Sequence, residues 1–61
     1  MFTVPTSQGD LTVSRARVIR AADRMWRWPA ERRQAAVAAA KDRLAGKRPQ
    51  KRDAAIIVAL S

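Results

Sequence analysis

The sequence predicts a mainly α-helical protein, a small two- or three-helix bundle that follows an extended or hairpin-like N-terminal arm. Three observations support this fold class. Apolar residues recur with helical spacing in 14–27, and an alanine-rich segment with helix-starting and helix-ending residues occupies 29–45. In 1–13, by contrast, β-branched residues surround a Gly-Asp pair. The alternative is an α+β fold whose small sheet is formed from residues 2–13 and 55–60.

The N-terminal arm carries Thr, Val and Leu residues on both sides of the pair Gly9-Asp10, a pattern typical of a small hairpin. Pro5 restricts the first half of the arm to an edge strand or an extended lead-in, because proline has no N–H to donate to a neighbouring strand. A lone hairpin is only marginally stable in water, so this one has to pack on the helices. An irregular arm is the alternative.

The first helix is predicted over 14–27. Ser14 is a suitable N-cap, because its hydroxyl can accept a hydrogen bond from a free N–H of the first turn. At about 100° per residue, the apolar side chains of this segment fall within an arc of about 120°. They are Val18, Ile19, Ala22, Met25 and Trp26. This arc is expected to face the core, which makes Trp26 a core residue.

The pair Trp28-Pro29 ends the first helix and begins the second. The residue before a proline disfavours helical backbone, whereas proline itself is favoured at the first position of a helix. The second helix then spans 29–45, and Gly46 is expected to stop it at the C′ position. Its apolar face is mostly alanine, which gives high helix propensity but little apolar area to bury.

The last third of the chain contains a basic connector, 46–52, and an ambiguous apolar segment, 53–60. Pro49 is an alternative start for a last helix. Ile56, Ile57 and Leu60 fit a helical face, but the run Ile-Ile-Val is equally typical of a strand. A helix is the preferred interpretation of the segment.

The small size of the chain limits how its fold can be stabilised. Sixty-one residues are expected to form a single domain, 1–61, with a thin core, because chains this short bury only about 60% of the surface exposed on unfolding. Without Cys or His, neither a disulfide nor a zinc site can compensate. Stability is therefore expected from helix packing, from docking on a partner, or from self-association as a homodimer.

The chain is strongly basic, with 13 Lys and Arg against 5 Asp and Glu and a net charge of +8. This excess favours nucleic acid or an acidic protein surface as the partner. Ten of the cations are Arg, and the chain also holds thirteen Ala, so GC-rich coding in a bacterium or its phage gives a competing explanation. The N-terminus lacks the pattern of a secretory signal, and the longest apolar run, Ala54–Leu60, is far too short to span a bilayer. A cytoplasmic location in a bacterial cell is expected.

Catalytic chemistry is missing from the sequence. There is no His, Cys or Tyr, and the five acids are spread along the chain with no helical pair among them. No two-carboxylate site, activated nucleophile, metal cluster or glycine-rich phosphate loop can be built from these residues. The sequence therefore predicts a protein that is not an enzyme and that has no cofactor, metal or small-molecule substrate.

The candidate binding residues are basic side chains and one tryptophan. The first group is an arginine stripe within about 80° of the first helix, at Arg17, Arg20, Arg24 and Arg27. Further cations that would extend the positive surface are Arg32, Arg33, Lys47, Arg48, Lys51 and Arg52. Trp28, at the helix junction, is either a packing residue between helices or a contact residue. The alternative interpretation of the stripe is a solvated outer helix face.

Three functions are compatible with these features. The preferred hypothesis is a small phage or mobile-element type protein that binds nucleic acid or a nucleoprotein complex through the arginine-rich helix face. The second is a protein-binding inhibitor or adaptor that docks on a host protein through the Arg and Trp surface. Binding to a membrane surface ranks last, because a bundle has a better use for the apolar arc of the first helix.

Overall fold

A computed structural model describes residues 1–61 and confirms a small helical bundle preceded by a two-stranded hairpin. The two strands and three helices follow one another along the chain as β1 Phe2–Thr6, β2 Gly9–Val13, α1 Arg15–Met25, α2 Ala30–Leu44 and α3 Lys51–Leu60. The segment that could have been helix or strand is helical. The α+β alternative, with a third strand from 55–60, is therefore wrong.

The hairpin is antiparallel, and its turn lies two residues earlier than the Gly-Asp pair suggests. β1 and β2 pair from Phe2 with Val13 to Thr6 with Gly9, so that Ser7 and Gln8 form the connection. Gly9 opens β2 with φ 99°, in the left-handed region that a side chain would strain. This positive φ lets the chain return immediately after the turn.

The hairpin is held on the helices at both ends. Val4 and Val13 are buried on the face that packs against α3. At the tip, the Ser7 backbone N–H and hydroxyl donate to the carbonyl oxygen of Leu44 at 3.3 and 3.2 Å, and the hydroxyl also reaches the Gly46 carbonyl at 2.8 Å. The arm thereby supplies partners for carbonyl groups that the end of α2 leaves free.

α3 is the central element, because α1, α2 and both strands pack against it. Its N-terminal half is the most deeply buried part of the molecule, with Asp53, Ala54, Ala55 and Ile56 all buried. The two alanines have side chains small enough for neighbouring helices to approach closely. Local periodicity could not separate helix from strand here, and this position between two helices decides the outcome.

The start of α1 is as predicted, but its buried face is not. Ser14 is the N-cap, and its hydroxyl accepts the Arg17 N–H at 3.3 Å. The residues of α1 buried in the core are Ala21 and Met25, whereas Ile19 and Trp26 are 54% and 57% exposed.

The assignment of Trp26 to the core is therefore wrong, for a geometric reason. α3 packs along one edge of the predicted apolar arc, at Val18 and Met25, and on Ala21 just outside that edge. Trp26 comes one residue after Met25, a rotation of about 100° out of the interface. Trp28, in the turn after α1, packs against the core in its place.

Three boundaries differ slightly from the prediction. Pro29 is the N-cap of α2 and the helix begins at Ala30, one residue later than expected. At the other end Ala45 is the C-cap, and Gly46 has no positive φ, so it is not the left-handed C′ residue expected. Lys51 and Arg52, assigned from sequence to the connector, lie in the first turn of α3.

Candidate functional site

A groove lined by arginines runs between α1 and the N-terminal half of α3. Its volume is about 630 Å³, and its floor is made of small and apolar side chains, among them Ala21, Met25, Ala55 and Ile56. Five arginines from all three helices line it, and we call it the arginine groove. They are Arg17, Arg20 and Arg24 of α1, Arg43 of α2 and Arg52 of α3.

The three arginines of α1 reach the groove because of their spacing. Arg17, Arg20 and Arg24 are three and four residues apart, which places them on one helix face. That face adjoins the edge of α1 that contacts α3, so their side chains line the space between the two helices. The Ser14 cap fixes the helix start one turn before this set.

Arg43 enters the groove from α2 and is held there by a buried carboxylate. Its Nε donates to Oδ1 of Asp53 at 2.7 Å. The Asp53 side chain is only 2% exposed, whereas that of Arg43 is 50% exposed. The aspartate therefore fixes the guanidinium through Nε, and the two terminal nitrogens have no hydrogen-bond partner within the protein.

All the charged residues that line the groove are cations. No acidic residue lines it, and Asp53 lies behind the single arginine that it pairs with. The other four acids, Asp10, Asp23, Glu31 and Asp42, are exposed and form no ion pair. Arg52 adds a cation in the first turn of α3, where unpaired backbone N–H groups already carry partial positive charge. The charge of the groove is therefore complementary to that of a multiply charged anion.

The structure brings together only part of the predicted set. Of the candidate residues, Arg17, Arg20, Arg24 and Arg52 line the groove. The last member of the stripe, Arg27, instead stacks over the Trp26 ring, 5.2 Å from its centroid. Lys47, Arg48 and Lys51 are exposed outside the groove.

Trp28 is a packing residue, and its neighbour Arg32 is engaged with it. The Trp28 side chain is partly buried against the core, and the Arg32 guanidinium lies 4.1 Å from the centroid of its ring. Both are therefore committed to the α1–α2 junction and lie outside the arginine groove.

Arg33 belongs to a separate concavity between α2 and the C-terminal end of α3. We call this the α2–α3 cleft; its volume is about 410 Å³ and its lining includes Lys41, Val37 and Leu60. Two cations line it, against five in the arginine groove. It is therefore the weaker candidate for binding a polyanion.

Arg43 is the groove residue that sequence reasoning missed. Its basic side chain near the end of α2 has an ordinary explanation, since cations there complement the helix dipole. The signal that identifies it is the pairing of α2 with α3 across a short connector, which brings Arg43 opposite Asp53. That pairing depends on both segments being helical.

Other kinds of site find no support in the geometry. No group of three or more acidic, Cys or His side chains lies close enough together to hold a metal ion. No helix combines the length and apolar character needed to cross a bilayer. Comparison with protein-family models, with curated proteins and with solved structures finds no match to this chain.

Proposed function

We propose that the protein binds nucleic acid, alone or within a nucleoprotein complex, through the arginine groove. The observation that carries the proposal is the convergence of five arginines from three helices on one groove that no acid lines. Under this proposal the protein works in the cytoplasm, where its ligand is. The proposed role is binding and not catalysis.

The chemistry of the groove suits a phosphate backbone. A guanidinium presents a planar set of donors that matches two oxygens of one phosphate, and it stays charged at any physiological pH. The side chains of Arg17, Arg20, Arg24 and Arg52 make no hydrogen bond within the protein, so they are free to donate to a ligand. From Arg17 to Arg24 the helix rises about 10 Å, which covers about three phosphates of one strand.

A binding experiment with a matched charge control tests this function. A labelled DNA duplex of random sequence is titrated with protein at low and at near-physiological salt, and binding is followed by fluorescence anisotropy. The wild type is expected to bind with a steep salt dependence, because each phosphate contact releases counterions. The variant Arg20→Ala with Arg24→Ala should bind about tenfold to a hundredfold more weakly, with a salt slope smaller by about 2 and unchanged helicity.

The control variant is Arg15→Ala with Lys41→Ala. It removes the same charge from exposed positions that do not line the arginine groove. Its affinity should fall only slightly, through the loss of net charge. If the two variants lose affinity equally, the groove is not the binding site, and absence of binding at low salt would contradict the proposed function altogether.

A protein-binding inhibitor or adaptor is the second candidate function. The observation that favours it is the pair of exposed apolar side chains, Ile19 and Trp26, on the face of α1 turned away from the core. Exposed tryptophan beside arginine is common at the centre of protein interfaces. A partner of this kind would have to present an acidic surface to a protein of charge +8.

A further inference from the structure

We propose that Asp53 is a positioning residue for nucleic-acid binding: it holds Arg43 in place, so that the free edge of this guanidinium meets a phosphate of the ligand. The inference rests on the proposed function and specifies which contact of the arginine groove is arranged before the ligand arrives. It concerns the single ion pair of the protein, between Arg43 Nε and Asp53 Oδ1 at 2.7 Å.

The ion pair divides the guanidinium of Arg43 into a bound edge and a free edge. A guanidinium has five N–H donors in one fixed plane. Nε donates to Asp53, and the two terminal nitrogens have no partner within the protein. Because the group is planar and rigid, a carboxylate at Nε leaves the terminal donors free to bond two oxygens of one phosphate. The half-exposed side chain lines the arginine groove, where a ligand can reach it.

The location of Asp53 makes its carboxylate a rigid support. The residue lies in the first turn of α3, and its side chain is only 2% exposed, so it has little room to move. Free backbone N–H groups in a first turn carry partial positive charge, which favours a carboxylate there. α2 packs directly against α3. Arg43 is therefore held between two packed helices, and such a support is more precise than a loop.

The contribution of the pair to stability does not by itself explain this arrangement. A pair with a buried carboxylate returns little net stability, because the cost of desolvation offsets most of the attraction. What the pair does change is the freedom of the arginine. Ordering a long side chain on binding lowers the affinity by about twofold to tenfold, and a side chain that is already held avoids most of this loss.

Arg43 differs in this respect from the other arginines of the groove. The side chains of Arg17, Arg20, Arg24 and Arg52 make no hydrogen bond within the protein, so a ligand has to order them. They supply charge along the groove. Arg43, held at Nε, fixes the place at which one phosphate is bound through two oxygens.

Three variants of equal net charge separate positioning from charge. Asp53→Ala, Asp53→Asn and Asp42→Ala each remove one acid and raise the net positive charge by the same amount. Asp42 is the matched control, because it is exposed, forms no ion pair and lies beside Arg43 in the chain. Asp53→Ala removes the acceptor of the Nε hydrogen bond, whereas the amide oxygen of Asp53→Asn can still accept it. Affinity for a random DNA duplex is measured by fluorescence anisotropy at near-physiological salt, with each variant first shown by circular dichroism to be folded.

Positioning and charge predict opposite results. If only charge matters, all three variants bind the duplex more tightly than the wild type. Positioning predicts that Asp53→Ala binds about twofold to tenfold more weakly than Asp42→Ala, with Asp53→Asn between them. In the free wild type, the Nε–H of Arg43 should also give a sharp, slowly exchanging NMR signal, and Asp53→Ala should lose it.

A second pair of variants leaves Asp53 in place and preserves the net charge. Arg43→Lys keeps a cation that can pair with the carboxylate, but a lysine ammonium has no second edge to offer two phosphate oxygens. Its affinity for the duplex should fall about tenfold. Arg17→Lys replaces one cation without a side-chain partner by another and should lose only about twofold.

The outcomes distinguish this inference from the proposed function. If the wild type binds the duplex but Asp53→Ala binds as tightly as Asp42→Ala or more tightly, Asp53 does not position Arg43 and nucleic-acid binding stands. Equal losses in Arg43→Lys and Arg17→Lys also contradict the inference. If the wild type does not bind nucleic acid at low salt, the proposed function fails, and the ion pair then serves the fold alone.

Discussion

The two helices that flank α3 differ in what they present to a ligand, although their charges are similar. α1 carries four arginines and one aspartate, and α2 carries four cations and two acids. In α1 three of the four arginines, Arg17, Arg20 and Arg24, recur at helical spacing and line one side of the arginine groove. In α2 the cations occur as pairs near the two ends, with Glu31 and Asp42 beside them. The resulting α2–α3 cleft has two cations in its lining.

The comparison shows that spacing and neighbouring acids, and not the charge of a helix, create a binding surface. Cations at intervals of three and four residues reinforce one another on a single face. Adjacent cations such as Arg32 and Arg33 point about 100° apart. In the structure Arg32 accordingly lies over the Trp28 ring, whereas Arg33 lines the α2–α3 cleft.

Arg43 is the exception on α2, because it lines the arginine groove and also stabilises the fold. Replacing it with alanine leaves the carboxylate of Asp53, 2% exposed, without its ion-pair partner. Removing one member of a fully buried pair costs about 3–5 kcal/mol, and because the Arg43 side chain is 50% exposed we expect a loss at the lower end of this range, about 3 kcal/mol. That loss is comparable to the whole free energy of unfolding expected of a 61-residue domain. Urea denaturation of Arg43→Ala should therefore show a protein that is largely unfolded or close to it.

Two further variants sharpen this prediction. Arg17→Ala removes a groove arginine that has no side-chain partner, and its free energy of unfolding should stay within about 0.5 kcal/mol of the wild type. Adding Asp53→Asn to Arg43→Ala replaces the buried charge with a neutral amide and should recover part of the stability. A stable Arg43→Ala protein would mean that the carboxylate finds another partner or water.

Most of the fold could be predicted because its signals are local. The break at Trp28-Pro29, the Ser14 cap and the hairpin composition each act within a few residues, and each appears in the structure. The helix at 53–60 and the exposure of Trp26 could not be decided locally. The first depends on the packing of α3 between α1 and α2, and the second on which edge of α1 meets α3. Alanines on α3 allow that close packing without leaving a strong pattern in the sequence.

The candidate site likewise contains some residues that could be predicted from the sequence and others that could not. Arg17, Arg20 and Arg24 could be found together because they share one helix. Arg52 was found as a basic residue, but its place in the groove follows from α3 beginning at Lys51. Arg43 could not be found, because its role depends on a contact with Asp53 ten residues away on another helix. The sequence therefore identifies the arginines that α1 contributes to the groove, and tertiary packing adds Arg43 from α2 and Arg52 from α3.

The two tryptophans at the end of α1 should differ in their effect on stability. Trp28→Ala removes a partly buried ring that packs on the core and that lies under Arg32. A fully buried tryptophan would cost about 3–5 kcal/mol, so a loss of about 2 kcal/mol is expected for this one. Trp26→Ala should cost less than about 1 kcal/mol, because the residue is 57% exposed. Thermal unfolding by circular dichroism measures both, and the reverse order would restore Trp26 to the core.

A further effect on stability is expected at the start of α1, where a side chain provides the cap that α2 lacks. Ser14 Oγ accepts the Arg17 N–H at 3.3 Å, whereas Pro29 offers no side-chain hydrogen bond to α2. Ser14→Ala should lower the free energy of unfolding by about 1 kcal/mol, which corresponds to a fall in melting temperature of roughly 4–8 °C in a domain of this size. Ser14→Thr keeps the hydroxyl and should keep most of the stability.

If the threonine variant loses as much stability as the alanine variant, the packing of Ser14 and not its hydrogen bond stabilises the first turn. The cap also holds the turn from which Arg17 enters the arginine groove, so Ser14→Ala should weaken nucleic-acid binding slightly while Ser14→Thr does not.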